Sequence, residues 1–180
     1  ISSKKGTREK GLQYHTFFAI DRAHDPDLGI DAATYRRLIG NNGTFQGINQ
    51  DLGANNNWYD LISRTGFSQA HNLAYSGAAL GADYRFAVNF REVNGIAQKS
   101  SFDQINASFN FQRPLQKGKG KLEGLFAVNS RNNNQFNPDI FRNAALMNPT
   151  APIYASNSTP GTYYQPQVFA LYNPLAILNL

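Results

Sequence analysis

Apolar and polar residues alternate with a period of two along several long stretches of the chain. In residues 82–93 four large apolar side chains occupy even-numbered positions, and most polar side chains occupy odd-numbered positions. The first set is Tyr84, Phe86, Val88 and Phe90, and the second includes Arg85, Asn89 and Arg91. Since successive side chains of an extended strand point to opposite faces, this pattern predicts a β-strand with one apolar and one polar face.

The same alternation recurs before and after this stretch, with only short breaks between neighbouring segments. In residues 103–113 an apolar set again opposes a polar set. The apolar residues are Ile105, Ala107, Phe109 and Phe111, and the polar residues are Asn106, Ser108, Asn110 and Gln112. Further strands are predicted over residues 12–20, 69–77 and 121–131. Segments in this order predict consecutive antiparallel strands.

The connections between the predicted strands are short on one side and long on the other. Residues 78–83 and 114–120 are short turns, whereas about fifty residues join the first strand to the second. Such an asymmetry is typical of membrane β-barrels, because their turns at one rim are short and their loops at the other are long.

Residues 172–180 become apolar again, which we interpret as the beginning of a further strand.

Short helices are predicted inside the long connections. Asp31 is a candidate N-cap for a helix over residues 32–39. Pro138 precedes a second helix over residues 139–147, where proline at the first helical position is favourable. Residues 58–64 predict one or two amphipathic helical turns.

Strand length favours a membrane-spanning sheet. Strands of globular domains most often have about 5 to 6 residues, whereas strands that cross a bilayer at a tilt need about 9 to 11. The predicted strands match the longer figure. The expected fold is therefore all-β: a partial antiparallel transmembrane β-barrel of about five strands, with short helices in long extracellular loops. The alternative is a soluble all-β sandwich that acts as a carbohydrate-binding module.

Composition is compatible with this fold and excludes other classes. The 180 residues are 41% hydrophobic with a mean hydropathy of −0.47, as expected when half of each strand is polar. No apolar run approaches the roughly 18 residues of a membrane-spanning helix. The absence of cysteine excludes disulfides and Cys-ligated metals. The net charge of +5 is scattered along the chain, so nucleic acid is not an expected partner.

No catalytic, cofactor or metal site is predicted. His15, His24 and His71 are far apart, and no phosphate-binding loop or nucleophile motif occurs. The acidic stretch between Asp21 and Asp31 lacks the ligand spacing of a helix-loop-helix calcium site, which favours a solvated loop. We therefore expect a protein that is not an enzyme.

The single tryptophan, Trp58, has two interpretations. A flat indole can stack on a sugar ring, and the loop tyrosines could assist it in a carbohydrate-binding module. Its position in an amphipathic turn instead favours packing against neighbouring elements.

Seven sequence blocks occur in a recognisable order and spacing. They are ISSKKG at residues 1–6, TYRRL at 34–38, NWYDLISRTGFSQAHNLAYSG at 57–77, YRFAVNFREVNGI at 84–96, SRNNN at 130–134, NPTAPIY at 148–154 and YNPLAIL at 172–178. Together these blocks resemble the SusC/RagA family of TonB-dependent outer-membrane transporters, in which the first block ends the plug domain.

The resemblance implies a piece of a longer transporter. Residues 1–8 would end the plug and link it to the barrel, and residues 9–180 would form the N-terminal part of the barrel. A protein of this family imports glycan oligomers or peptides across the bacterial outer membrane. Its implied partners are the lipid bilayer, the TonB complex, which acts through an N-terminal part beyond this chain, and a SusD-like surface lipoprotein. That lipoprotein would cover the loops of residues 21–68 and 132–171.

The candidate substrate-binding residues are polar side chains on the polar face of the strands predicted over residues 82–93 and 103–113. On the barrel interpretation they line the lumen. They are Arg85, Asn89, Arg91, Asn106 and Asn110. We expect these side chains to form the polar wall of the substrate path. The side chains on the opposite, apolar face of the strands should contact lipid.

Overall fold

The computed structural model describes residues 10–23, 30–41, 50–115, 120–156 and 159–179. In chain order the elements are β1 (Gly11–Asp21), α1 (Ala32–Asn41), α2 (Trp58–Ile62), β2 (Gly66–Ala79), β3 (Ala82–Asn94), β4 (Ser101–Pro114), β5 (Lys121–Asn134), α3 (Asp139–Leu146) and α4 (Pro174–Leu178). They fall into two compact units. One is the sheet formed by β1 to β5, and the other is a loop unit formed by the four helices and the segments around them.

The sheet is a single antiparallel meander whose order is β1-β2-β3-β4-β5. All five predicted strands are present, and each is longer than the alternation predicted. The largest extension is in β2, which begins at Gly66 and ends at Ala79. The fold is thus all-β with a few short helices and is consistent with part of an antiparallel barrel, which confirms the predicted fold class.

The strand register sorts the side chains onto two chemically different faces. One row of directly opposed residues across β2 to β5 is Tyr75, Phe86, Phe109 and Phe126. A row of the opposite parity is Asn72, Asn89, Asn106 and Asn129. We call the face that carries the first row the apolar face and the face that carries the second the polar face. Both sets follow from the two-residue period of a strand.

The turn between β2 and β3 consists of Leu80 and Gly81. Both have positive φ angles, 53° and 77° respectively. Two successive residues with positive φ form a type I′ turn, whose twist matches that of the strands it joins. Glycine adopts this conformation freely, whereas leucine does so at a cost. The turn pairs Ala79 with Ala82 and thereby sets the register of the hairpin.

Two glycines on the apolar face lie beneath aromatic rings of the neighbouring strand. Gly77 pairs with Tyr84, and Gly124 pairs with Phe111. A Cβ atom added at Gly124 would overlap the ring of Phe111, and one at Gly77 would lie 2.9 Å from Oη of Tyr84. These positions favour glycine because the rings extend across the adjacent backbone, an arrangement that also helps to fix strand register.

The loop unit has a small hydrophobic core of its own. Its buried members are Trp58, Ile62, Ala97, Ile140, Ala144, Met147 and Ala151. Asn57 is the N-cap of α2, and its Oδ1 accepts hydrogen bonds from the backbone N–H groups of Tyr59 and Asp60. The N–H of Gln98 donates to the carbonyl of Ile62 at 2.8 Å, so the segment between β3 and β4 is tied to the end of α2.

The predicted loop helices are present with small changes at their ends. Oδ1 of Asp31 accepts a hydrogen bond from the N–H of Thr34 at 2.6 Å, which confirms Asp31 as the N-cap of α1. α3 ends at Leu146, one residue before the predicted end. Among the described residues, no helix has the length and apolarity needed to cross a membrane.

The prediction of a strand beginning in residues 172–180 is wrong, because residues 174–178 form α4. Oδ1 of Asn173 accepts a hydrogen bond from the N–H of Leu175 at 3.0 Å, and Pro174 occupies the first turn. Asparagine at the N-cap followed by proline is a strong helix start, since the proline ring fixes φ in the helical range. Apolar character alone did not distinguish a strand from this helix.

Two substitutions in α3 test the core of the loop unit. Ile140 is fully buried, whereas Leu146 on the same helix is 57% exposed. We expect Ile140→Ala to lower the free energy of opening of this unit by about 2–5 kcal/mol through loss of buried contacts and creation of a cavity. The matched variant Leu146→Ala should change it by about 0.5 kcal/mol or less.

Hydrogen exchange of the backbone amides of α2 and α3, followed by mass spectrometry, measures both effects. Equal loss of protection in the two variants would contradict the assignment of Ile140 to the core.

Candidate functional site

The five residues predicted to line a path lie on one face of the sheet. Arg85 pairs directly with Asn110, and Asn89 pairs directly with Asn106. Arg91 lies two residues beyond Asn89 along β3, so the two side chains lie on the same face of the sheet. The register therefore brings together all five side chains that the sequence selected, on the polar face. Their contact with a ligand stays a prediction.

Asparagine occupies four successive positions in one row of the polar face. Asn72, Asn89, Asn106 and Asn129 are cross-strand partners from β2 to β5. Neighbouring strands are about 4.8 Å apart, so the four amides form a short ladder. Nδ2 of Asn129 donates to Oδ1 of Asn106, and Nε2 of Gln104 donates to the same oxygen at 3.4 Å. The row presents both donors and acceptors, because each amide carries both.

Two members of this row, Asn72 and Asn129, were missed by sequence reasoning. Each occupies a position of its own strand that alternates with the apolar residues, so the alternation alone placed both on the polar face. Their alignment with Asn89 and Asn106 depends on the register. The signal that could have found Asn72 is the two-residue turn at Leu80 and Gly81, which fixes the pairing of β2 with β3. The alignment of Asn129 depends on the pairing of β4 with β5, which this turn does not set.

The next row of the polar face carries two arginines around a glutamine. Arg91 pairs with Gln104, which pairs with Arg131. Both guanidinium groups approach the ring of Phe102: Cζ of Arg131 is 4.9 Å from the ring centroid, and Cζ of Arg91 is 5.7 Å from it. Both distances are within the range of a cation–π contact. Arg131 and Phe102 were not among the predicted site residues.

Charge is unevenly distributed along the polar face. The row next to the turns contains the carboxylates of Asp83 and Glu123. Between that row and the row of Arg91, the described residues of the face include Arg85 and no carboxylate. Nη1 of Arg85 donates to Oγ of Ser76 at 3.0 Å. The arrangement offers hydrogen bonds and positive charge, as a binding surface does.

The histidines do not form a common site within the described residues. His15 belongs to the polar face and His71 to the apolar face, because His15 pairs with Asn72 and His71 pairs with Thr16. Nδ1 of His71 lies 2.7 Å from Oη of Tyr14. His24, Asp25 and Asp27 lie outside the described residues, so the solvated-loop interpretation of that stretch stays a prediction. Among the described residues, no three acidic or histidine side chains are grouped as metal ligands would be.

The loop unit contains an open cleft of about 1480 Å³. Aromatic side chains line it, including Tyr35, Tyr59, Phe141, Tyr164 and Phe169. Amide side chains line it as well, including Gln50, Asn55, Asn56, Gln165 and Gln167. Aromatic faces beside amides are the usual surroundings of a polar organic ligand, so this cleft is a second candidate binding surface.

An ion pair orders one wall of the loop unit. Nε of Arg36 donates to Oδ2 of Asp51 at 2.8 Å, and Nη2 of Arg36 donates to the carbonyl of Ala54 at 2.7 Å. The hydrogen bond from Arg36 lowers the pKa of Asp51 below its ordinary value, and the N–H of Gly53 contributes to the same shift. Burial raises the pKa of Tyr35, and the charge of Asp51 adds to that effect.

Trp58 packs inside the loop unit and does not present its face to a ligand. Its side chain is 3% exposed, and its Nε1 donates to the carbonyl of Asn148 at 2.9 Å. The packing interpretation is therefore confirmed. The stacking of a sugar on Trp58, which the carbohydrate-binding-module alternative invoked together with the loop tyrosines, is wrong because the side chain is buried.

Comparison with known proteins relates the chain to transporters of one class. No family model matches the chain. In an alignment of 122 residues that covers 64% of the chain, it is 32% identical to the TonB-dependent receptor SusC of Bacteroides thetaiotaomicron. The matched region is 12% of that receptor, so the chain spans a small part of its length. The similarity relates the chain to TonB-dependent receptors in general, and the antiparallel sheet agrees with that relationship.

Proposed function

We propose that this chain forms part of the barrel wall of a TonB-dependent transporter in the bacterial outer membrane. The observation that carries the proposal is the concentration of exposed apolar side chains on one face of the sheet. They are Leu12, Tyr14, Phe18, Ile20, Phe67, Leu73, Tyr75, Phe86, Ile105, Phe109, Leu122, Phe126 and Val128. A continuous apolar surface of this extent is stable when it faces lipid.

The height of the apolar face supports the same interpretation. A polar row at one end contains Gln69, Glu92 and Asp103, and Nε2 of Gln69 donates to Oε2 of Glu92 at 2.6 Å. At the other end of β4 the same face carries Arg113. Arg113 lies ten residue steps beyond Asp103, which is about 34 Å along a strand. At a tilt of about 40° this length is about 26 Å along the normal of a bilayer. The apolar band of known membrane barrels is about 25 Å tall.

The polar face is the corresponding lumen surface in this proposal. Arg85, Asn89, Arg91, Asn106 and Asn110 line the path of the substrate as a polar wall. Residues 1–8, of which the structure describes none, end the plug domain, and residues 9–180 belong to the barrel. The cargo is a glycan oligomer or a peptide, as the resemblance to the SusC/RagA family implies.

The proposed partners follow from the same resemblance and from the relative that is named as TonB-dependent. TonB supplies energy through a part of the protein outside this chain. A SusD-like surface lipoprotein covers the long loops, which include the loop unit and its cleft. The transporter has no cofactor and performs no catalysis.

Arginine substitutions at two adjacent residues of β3 test the lipid contact. Val88 lies on the apolar face near the middle of the band, and Ala87 lies on the polar face. In the full-length protein reconstituted in phospholipid vesicles, Val88→Arg should lower the free energy of unfolding by about 2–4 kcal/mol. Ala87→Arg should lower it much less, because a charge on the lumen side stays hydrated.

Urea denaturation in the vesicles, followed by the change in gel mobility between folded and unfolded forms, measures both values. Equal losses, or a larger loss for Ala87→Arg, would show that the apolar face does not contact lipid.

A genetic experiment tests transport itself. Deletion of the gene should abolish uptake of one class of labelled glycan or peptide, and depletion of TonB should have the same effect. Restoration by the wild-type gene is the control. Uptake of every tested class at the wild-type rate in both strains would overturn the transport proposal.

A further inference from the structure

Two guanidinium groups converge on one aromatic ring of the polar face. The ring is that of Phe102, and the guanidinium carbons of Arg131 and Arg91 lie 4.9 Å and 5.7 Å from its centroid. The separation of these two carbons therefore cannot exceed the sum of the two distances. The backbone enforces this proximity, because both arginines are direct cross-strand partners of Gln104 in the strand that carries Phe102.

Within the described residues, the guanidinium groups of these two arginines donate no hydrogen bond to a protein acceptor. Each makes a cation–π contact with the ring of Phe102. The amide of Gln104, which lies between them, donates to Asn106 in the next row. Two like charges held together without an acidic partner raise the positive potential locally, and an anion placed between them would relieve their repulsion.

The chemistry of the site selects an oxyanion. Guanidinium is planar and presents its donors as a fork that matches the two oxygens of a carboxylate or a sulfate. Charged hydrogen bonds of this kind are about twice as strong as neutral ones. Contact with Phe102 restricts the long arginine side chains, so less conformational entropy is lost when an anion binds.

The adjacent row supplies neutral hydrogen-bonding groups. The asparagines at positions 89, 106 and 129 lie two residues further along their strands, which is about 7 Å from the arginine row. A single sugar residue spans such a distance. Amides bind hydroxyl groups as both donors and acceptors.

We propose that Arg91 and Arg131, on either side of Gln104 and in contact with Phe102, form a subsite for the carboxylate or sulfate group of an acidic sugar. The asparagine row binds the hydroxyl groups of the same ligand. This inference narrows the cargo of the proposed transporter to acidic carbohydrate. It rests on the proposed function in that the polar face must be open to solute.

A pair of probes that differ in charge tests the subsite in the full-length protein in detergent. The probes are trigalacturonate and its methyl ester, which share the same sugar chain, and binding is measured by titration calorimetry at low ionic strength, where charge interactions are least screened. We expect the wild-type protein to bind trigalacturonate about tenfold more tightly than the ester, as one charged hydrogen-bonded contact provides.

The variant Arg91→Gln/Arg131→Gln should bind both probes equally. The matched control is Arg113→Gln, which removes an exposed arginine from the opposite face of the same sheet and should retain the tenfold preference. Loss of the preference in both variants would show that net charge, and not this site, attracts the ligand, and would overturn the proposal.

A wild-type protein with no preference for the acid would also overturn it. If, in addition, the double variant but not Arg113→Gln unfolded at a lower temperature, the oxyanion bound by the two arginines would be a carboxylate of the polypeptide itself. Urea denaturation of the double variant in vesicles should match the wild type, so failure of the subsite is distinguishable from failure of the barrel.

Discussion

The register of the antiparallel ladder is the constraint on which the rest of the structure depends. Because side chains alternate between faces, a slip of one residue between two strands would move every side chain of one strand to the wrong face. The two-residue turn at Leu80 and Gly81 fixes the pairing of β2 with β3, where the ring over Gly77 also opposes slippage, and the ring over Gly124 opposes slippage of β5 on β4. The apolar face and the rows of the polar face both follow from this register.

The backbone pairing of the same ladder is compatible with a membrane location, and its two edge strands show which further pairing such a location requires. The outer strands β1 and β5 each pair with one neighbour in the described sheet. Unpaired backbone groups are too costly in hydrocarbon, so a wall in lipid needs further strands that pair with both edges. The loop unit, by contrast, has a buried hydrophobic core of its own around Trp58 and Ile62.

The sequence predicted the strands and their faces because the two-residue period is a local property. It placed Asn106 on the polar side correctly, yet the asparagine ladder depends on register, which is set by turns and by contacts between strands. The approach of Arg131 to Phe102 is likewise a relation between neighbouring strands. At Pro174 local information was present and was read incorrectly, since an N-cap followed by proline favours the helix that forms there. Burial of Trp58 came from tertiary packing, which an amphipathic turn only suggests.

Oxygen accessibility along β3 tests the central claim most directly. A spin label is attached at each successive position from Tyr84 to Arg91 in the full-length protein reconstituted in lipid bilayers, a scan made simpler by the absence of cysteine from this chain. The barrel wall predicts collision rates with oxygen that alternate with a period of two, high at Phe86 and Val88 and low at Ala87 and Asn89. Low oxygen accessibility at Phe86 and Val88, equal to that at their neighbours, would contradict a lipid-facing sheet.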